Sequence, residues 1–270
     1  MKIKHIFTDM DGTLLNSNGT LSDTNLWSIY YSNLPLTLVS ARSPLEMSTT
    51  IDKLQLTAPQ IAFNGNLIFT QNQFGLQIIE KNTLTKESVI QLLDYISNHF
   101  PKISLSWYSL THWYIKKQDK GTFLQKAITG IEPRLKAYDG NSEIYKIMMI
   151  VFNPAELQKI EAALNALKIP NISIKQSGQW HLEITSSQNT KADAVSTILN
   201  SENLAFEEIA AIGDSSTDIP LLKAAGLGIA VDNASPEVKK HVKMIVAKNT
   251  NHGVAEAISV ISELNEQVNQ

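Results

Sequence analysis

The chain has 270 residues, with 43% apolar and 18% charged side chains, which excludes a disordered polymer and suits one large or two modest globular domains. Its 23 basic and 26 acidic residues give a formal charge of −3, so nothing in the balance attracts nucleic acid. The chain has no cysteine, which removes disulfides, thiolate zinc sites, iron–sulfur clusters and cysteine nucleophiles, and no apolar stretch approaches the ~20 residues of a membrane-spanning helix.

In chain order, Ile3 to Thr8 is a short β-prone run that ends in the acidic turn Asp9-Met10-Asp11-Gly12-Thr13. Acidic residues this early argue against a secretory leader, and with the missing cysteines they suit a cytoplasmic protein. Leu36 to Val39 is a second apolar run, closed by Ser40-Ala41-Arg42, and a helix is expected from Pro44, where proline suits a first turn. Gln60 to Phe63 is a third run, ended by Asn64-Gly65. Leu67–Thr70 and Leu76–Glu80 are spaced as a hairpin.

The middle of the chain has a different rhythm. Lys86 to Phe100 carries Val89, Leu92, Leu93 and Ile96 at helical spacing. Ile103–Tyr108 and His112–Lys116 alternate like strands, Asp119 to Thr129 reads as a helix, Ile144 to Phe152 as a strand, and Pro154 to Leu167 as a helix. Ile172–Lys175 and Trp180–Ile184 close the segment as strands. This predicts an antiparallel α+β unit inserted at 82–185 in a core made of 1–81 and 186–270. In the last third, the helix from Lys191, the strand Glu208–Ile212 ending in Gly213-Asp214-Ser215-Ser216-Thr217-Asp218, the helix Ile219–Ala225, the strands Leu227–Val231 and Lys243–Val246, and the helix Val254–Leu264 alternate. Such alternation predicts a doubly wound, Rossmann-like parallel sheet with helices on both faces.

In such sheets ligands collect beyond the carboxyl ends of the strands. Asp9 and Asp11, Ser40, and Asp214 and Asp218 all follow predicted strands, and Lys191 opens a helix that reaches the same edge. Any one of them alone is an ordinary turn former. Two Asp-rich turns on one edge are harder to dismiss, because clustered carboxylates repel one another without a cation. Oxygen donors from two carboxylates suit Mg²⁺, and Asp9 with Asp214 would cancel its charge while Lys191 offsets a bound phosphate. No EF-hand, H-E-x-x-H, G-x-S-x-G, Walker A or G-x-G-x-x-G pattern competes.

The turn Asp9-Met10-Asp11-Gly12-Thr13-Leu14 resembles the first motif of haloacid dehalogenase-like phosphatases. Ser40, Lys191 and Gly213–Asp218 stand in order like that superfamily's second, third and fourth motifs. The 151-position gap (191 − 40) is similar to that of Cof-type members with a large C2 (IIB) cap. Asn64-Gly65, the run Gly228–Ala234 and Gly253-Val254 add to the likeness. The resemblance implies that Asp9 attacks phosphorus to form an aspartyl-phosphate, and that Asp11 protonates the leaving group and then activates water. It also implies that Mg²⁺ sits on Asp9, Asp214 and the backbone carbonyl of Asp11. Gly12, Ser40, Ala41 and Lys191 would surround the phosphate, Ser40 through its hydroxyl and its N–H, with Asp218, Thr217 and Asn64 in support. Position 217 is Thr where the family usually has Asn, position 192 is Ala where Gly is common, and position 40 is Ser where Thr is commoner.

The resemblance further implies that the inserted cap excludes water and reads the part of the substrate beyond phosphate. Trp107, Tyr108, His112, Trp113, Arg134, Trp180 and His181 are the visible candidates, set against the plainer reading that the tryptophans are cap core. Sugar phosphates and pyridoxal phosphate both fit aromatic and basic side chains. The partner implied is a small phosphate ester, with no nucleic acid or membrane, and oligomeric state stays open. Two other functions use the same residues, a phosphomutase that returns the phosphoryl group to sugar and a non-catalytic phosphometabolite-binding protein.

Overall fold

The computed structural model describes residues 2–268. Its elements begin with β1 (His5–Thr8), α1 (Asp23–Tyr31), β2 (Leu36–Leu38), α2 (Pro44–Leu54), β3 (Gln60–Ala62), β4 (Leu67–Asn72) and β5 (Gly75–Lys81). Then follow α3 (Lys86–His99), β6 (Ser104–Tyr108), β7 (Trp113–Ile115), α4 (Lys120–Thr129), β8 (Arg134–Leu135), β9 (Lys146–Ile150), α5 (Pro154–Ala166), β10 (Ile172–Ser177) and β11 (His181–Ser186). The chain closes with α6 (Lys191–Glu202), β12 (Ile209–Gly213), α7 (Ile219–Ala224), β13 (Leu227–Val231), α8 (Pro236–Lys239), β14 (Met244–Val246) and α9 (Gly253–Val268). By contact the chain divides into two units, 1–42 with 47–80 and 189–270, and 43–46 with 81–188.

In the first unit, β14-β13-β12-β1-β2 form a parallel sheet. β1, β2 and β12 are buried along their whole length, as both-face coverage demands, so their side chains do not alternate between core and solvent. Phe7, Ala211 and Ala230 pack against Val195, Ile198 and Leu199 of α6 and Leu221 of α7. α1 and α9 pack together, and Asn25 of α1 caps a backbone N–H at the start of α9 through its buried side chain. A parallel bridge Val39–Ile61 links β2 to β3, from which β4 and β5 continue as a small sheet.

Helix α1 was not expected from the sequence. Its Trp27, Tyr30 and Tyr31 are exposed, so the apolar period that marks a helix is blurred there. Its start is written in local chemistry instead, because Ser22 accepts the Asn25 N–H as an N-cap.

The second unit is a six-stranded sheet, β10-β11-β9-β6-β7-β8. The expectation of an antiparallel unit needs one correction. β7 and β8 run parallel, Tyr114 opposite Arg134, because α4 carries the chain back across the sheet between them. α4 itself starts at a capping box, with Asp119 accepting from Thr122 N–H and Thr122 accepting from Asp119 N–H. One sheet face carries Leu105, Trp107, Ile147, Met149, Leu182 and Ile184, packed with Val89, Leu92 and Ile96 of α3 and Leu157, Ile160 and Leu164 of α5. The other face is far more polar.

Candidate active site

β1 sits at the centre of the parallel sheet, with β2 on one side and β12 on the other. The chain winds outward in one direction before the 81–188 segment and in the other after it, so the carboxyl ends of β1 and β12 flank a topological switch point. Asp9 follows β1, Ser40 follows β2, and Asp214 follows β12.

Lys191, the first residue of α6, joins them. Its Nζ donates to Asp9 Oδ1 at 2.6 Å and to Asp218 Oδ1 at 2.7 Å, and all three side chains are buried. Two local features aim α6. Thr190 caps it in a capping box with Asp193. Gly65, at φ +102°, packs so closely that a Cβ there would lie 2.2 Å from Thr190 O.

Asp218 has no spare oxygen. Its Oδ1 accepts from Lys191, and its Oδ2 accepts from Ser215 N at 3.0 Å and Ser215 Oγ at 2.7 Å, with a longer bond from Asp214 N at 3.3 Å. It therefore serves as a fixed anion beside the lysine. Asp214 accepts from Thr13 Oγ1 at 2.9 Å. Carboxylate oxygens of Asp9, Asp214 and Asp218 can be chosen that all lie within 4.8 Å of one another.

Three carboxylates and one ammonium sum to −2. The titration behaviour reflects that excess. Burial pushes the Asp9 carboxyl well above its ordinary range, against the pull of Lys191, and the neighbouring Asp218 and Asp214 add to the rise. Burial, with Asp218 close by, raises Asp214 to about 6 despite the Thr13 hydrogen bond. Burial works against the Lys191 ammonium, but Asp218 and Asp9 outweigh it and hold its pKa above the usual lysine value. A hard, oxygen-only donor set with two uncompensated negative charges fits a small divalent cation such as Mg²⁺. Asp9 and Asp214 are the residues with carboxylate oxygens to offer it.

Among the remaining expected residues, Ser40 needs one correction. Ser40 is buried, but its N–H donates to Ile61 O at 2.9 Å and is not available to a phosphoryl oxygen. Continuing the sheet uses that donor, so only the hydroxyl is left; Ser40 Oγ accepts from Arg42 N at 3.1 Å. Gly12 lies at φ +80°, and a Cβ there would stand 2.5 Å from Asp214 Oδ2. The glycine therefore clears space for the Asp214 carboxylate as well as satisfying the turn. Asn64 contributes through its backbone. It adopts φ 60°, ψ 32°, and its N–H donates to Ser40 O at 2.9 Å, tying the ends of β2 and β3 together. Thr217 bonds Ser215 Oγ at 2.7 Å, so the position where Asn was expected braces the Asp218 loop. Ala41 follows Ser40 in the same turn.

Two residues were missed from the sequence. Arg42 grips Asp11 with both ends of its guanidinium, Nε to Oδ2 at 2.7 Å and Nη2 to Oδ1 at 2.6 Å, and the Asp11 side chain is more than half exposed. A basic residue two positions after Ser40 was the available signal. Asn233 donates to Gly12 O at 2.7 Å and accepts from Asn249 N, which holds the Asp9–Gly12 turn against the end of β13.

The family model described as haloacid dehalogenase-like hydrolase matches residues 6–258. The chain belongs to this family. Among haloacid dehalogenase-like relatives, a protein of Haemophilus influenzae is 28% identical over 259 residues, covering 94% of this chain and 97% of its own. The Bacillus subtilis 5-amino-6-(5-phospho-D-ribitylamino)uracil phosphatase YwtE is 25% identical over 281 residues, covering 94% of this chain and 96% of its own. A crystal structure of a haloacid dehalogenase-like hydrolase from Bacteroides thetaiotaomicron superposes with a TM-score of 0.87 at 25% identity, covering 96% of this chain and all of that one. The chain is thus a phosphatase of the haloacid dehalogenase-like family.

Proposed function

We propose that the protein is a Mg²⁺-dependent phosphatase of small phosphate monoesters that works through an aspartyl-phosphate on Asp9. One observation carries the reading. Lys191 holds a single oxygen of Asp9, and the other accepts no hydrogen bond among the described residues, which leaves a buried carboxylate oriented for attack.

The steps follow from the residues. Asp9 attacks phosphorus in line as the ester P–O bond breaks, and Asp11 gives a proton to the leaving oxygen. Water then attacks the aspartyl-phosphate, Asp11 takes its proton, and inorganic phosphate leaves with Asp9 restored. The Lys191 ammonium, fixed by Asp218, offsets charge that grows on the phosphoryl oxygens. The Ser40 hydroxyl donates to one of those oxygens. Mg²⁺ held by Asp9, Asp214 and the Asp11 carbonyl would supply further positive charge at the phosphoryl group. Arg42 determines where the Asp11 carboxylate points, and its two-pronged grip must loosen for Asp11 to carry a proton to the leaving group.

Phosphate release from sugar phosphates, nucleotides, flavin mononucleotide and pyridoxal phosphate, with Mg²⁺ and with EDTA, tests the proposal. Release that needs Mg²⁺ supports it. A folded, Mg²⁺-loaded sample that releases phosphate from no compound would refute it.

A further inference from the structure

A cavity of about 180 Å³ lies within the 81–188 unit, among α3, β6 and the segment that follows β8. Leu93 of α3 and Leu105 and Trp107 of β6 give it buried apolar walls, and the half-buried Tyr138 adds a second aromatic one. Apolar cavities of roughly 150 Å³ hold a benzene ring, so this one has room for a single ring or a branched aliphatic chain. Two of its walls are held in place. Trp107 stacks on Tyr114 with ring centroids 6.4 Å apart, and Tyr138 Oη donates to Ser142 O at 3.3 Å.

The exposed edge of the same cavity is charged. Asp94 and Ser97 lie one helical turn apart on α3, and Lys116 directly follows β7; all three border the cavity. Lys116 Nζ donates to Ser97 Oγ at 3.5 Å, which brings the ammonium to within a turn of the Asp94 carboxylate. Even so, Asp94 and Lys116 form no ion pair with each other or with any other side chain among the described residues. An anion and a cation therefore stand side by side at the edge of an apolar, ring-sized space, and neither is answered from within the chain.

One ligand chemistry matches all three features. An apolar carboxylate would answer Lys116 but meet Asp94 as a like charge, and an apolar amine would do the reverse. An α-amino acid carries both charges on one carbon, beside its side chain. Its carboxylate can accept from Lys116, its ammonium can donate to Asp94, and its side chain can enter between Leu93, Leu105 and Trp107. We infer that this cavity is a binding site for a free α-amino acid with a large apolar side chain. The site takes nothing from the Asp9 cluster, and its occupancy can be read without turnover.

Isothermal titration calorimetry on the full chain compares L-phenylalanine with 3-phenylpropanoate, which lacks the ammonium, and 2-phenylethylamine, which lacks the carboxylate. L-Phenylalanine should bind at one site with a Kd below about 1 mM, and each analogue should bind about tenfold more weakly. Asp94→Asn should weaken L-phenylalanine about tenfold without weakening 3-phenylpropanoate. Lys116→Met should weaken L-phenylalanine by a similar factor without weakening 2-phenylethylamine. Both side chains are exposed, so both variants should keep the wild-type circular dichroism spectrum. No saturable binding of L-phenylalanine, equal binding of the three compounds, or binding that neither substitution changes would overturn the inference and leave Asp94 and Lys116 as solvated surface charges.

Discussion

In the proposed reaction Asp9 is the nucleophile, and Lys191 holds one of its oxygens. Asp9→Asn keeps the size and the Lys191 contact but removes the attacking anion. Turnover should fall below detection while the far-ultraviolet circular dichroism spectrum stays unchanged. Asp214 makes a prediction about pH. Its carboxyl is raised to about 6 from 3.8 mainly by burial, so between those values the folded, metal-free protein binds a proton that the unfolded chain has released. Its contribution to stability is therefore greatest below 3.8 and is lost as the pH rises through 6. A divalent cation must displace that proton at acid pH. Calorimetric Mg²⁺ affinity should be about tenfold weaker at pH 5 than at pH 7.5, and Asp214→Asn should abolish most of the binding. Arg42→Ala should lower kcat by about a hundredfold, as loss of a positioned general acid does, while leaving Mg²⁺ affinity nearly intact. Rapid-quench kinetics and the same calorimetry separate the two effects. The sequence named Asp9, Asp214 and Lys191 because carboxylates after strands and a lysine at a helix start are visible one residue at a time. Arg42 was not visible, because its meaning lies in a pairing across 31 positions with Asp11.

At the scale of elements, the site depends on how α6 is seated. Thr190 and Asp193 begin the helix as a capping box, at the Lys191 start that the sequence predicted. What seats it is Gly65, whose missing side chain lets the short turn after β3 touch the Thr190 carbonyl. Gly65→Ala would force that contact apart in a backbone region where alanine is already strained. It should cost about 3 kcal/mol in urea unfolding and also lower kcat, because Lys191 moves with Thr190. The sequence showed Asn64-Gly65 as a turn but gave no hint that α6, more than a hundred residues later, rests on it. α1 was missed for the opposite reason: its exposed aromatic residues conceal the helical period, although Ser22 caps it.

At the scale of the whole molecule, three carboxylates against one ammonium leave the metal-free protein with local charge repulsion that a divalent cation removes. Mg²⁺ at a hundred times its dissociation constant should stabilise the fold by about 2.7 kcal/mol, visible as a higher Tm that EDTA reverses and that Asp214→Asn lacks. The sequence by itself determined the alternation of strands and helices, the inserted α+β segment as an expectation, and the carboxylates that end β1 and β12. Each of these is set within a short window by apolar period, turn residues and caps. Tertiary structure alone decided which donors and acceptors are engaged. The Ser40 N–H goes to Ile61, both Asp218 oxygens are occupied, and Asp11 is gripped by Arg42, whereas Glu183 Oε2 is left without a partner. The physical reason is that a hydrogen bond is a matter of a few tenths of an ångström between groups far apart in the chain, and no local pattern records it.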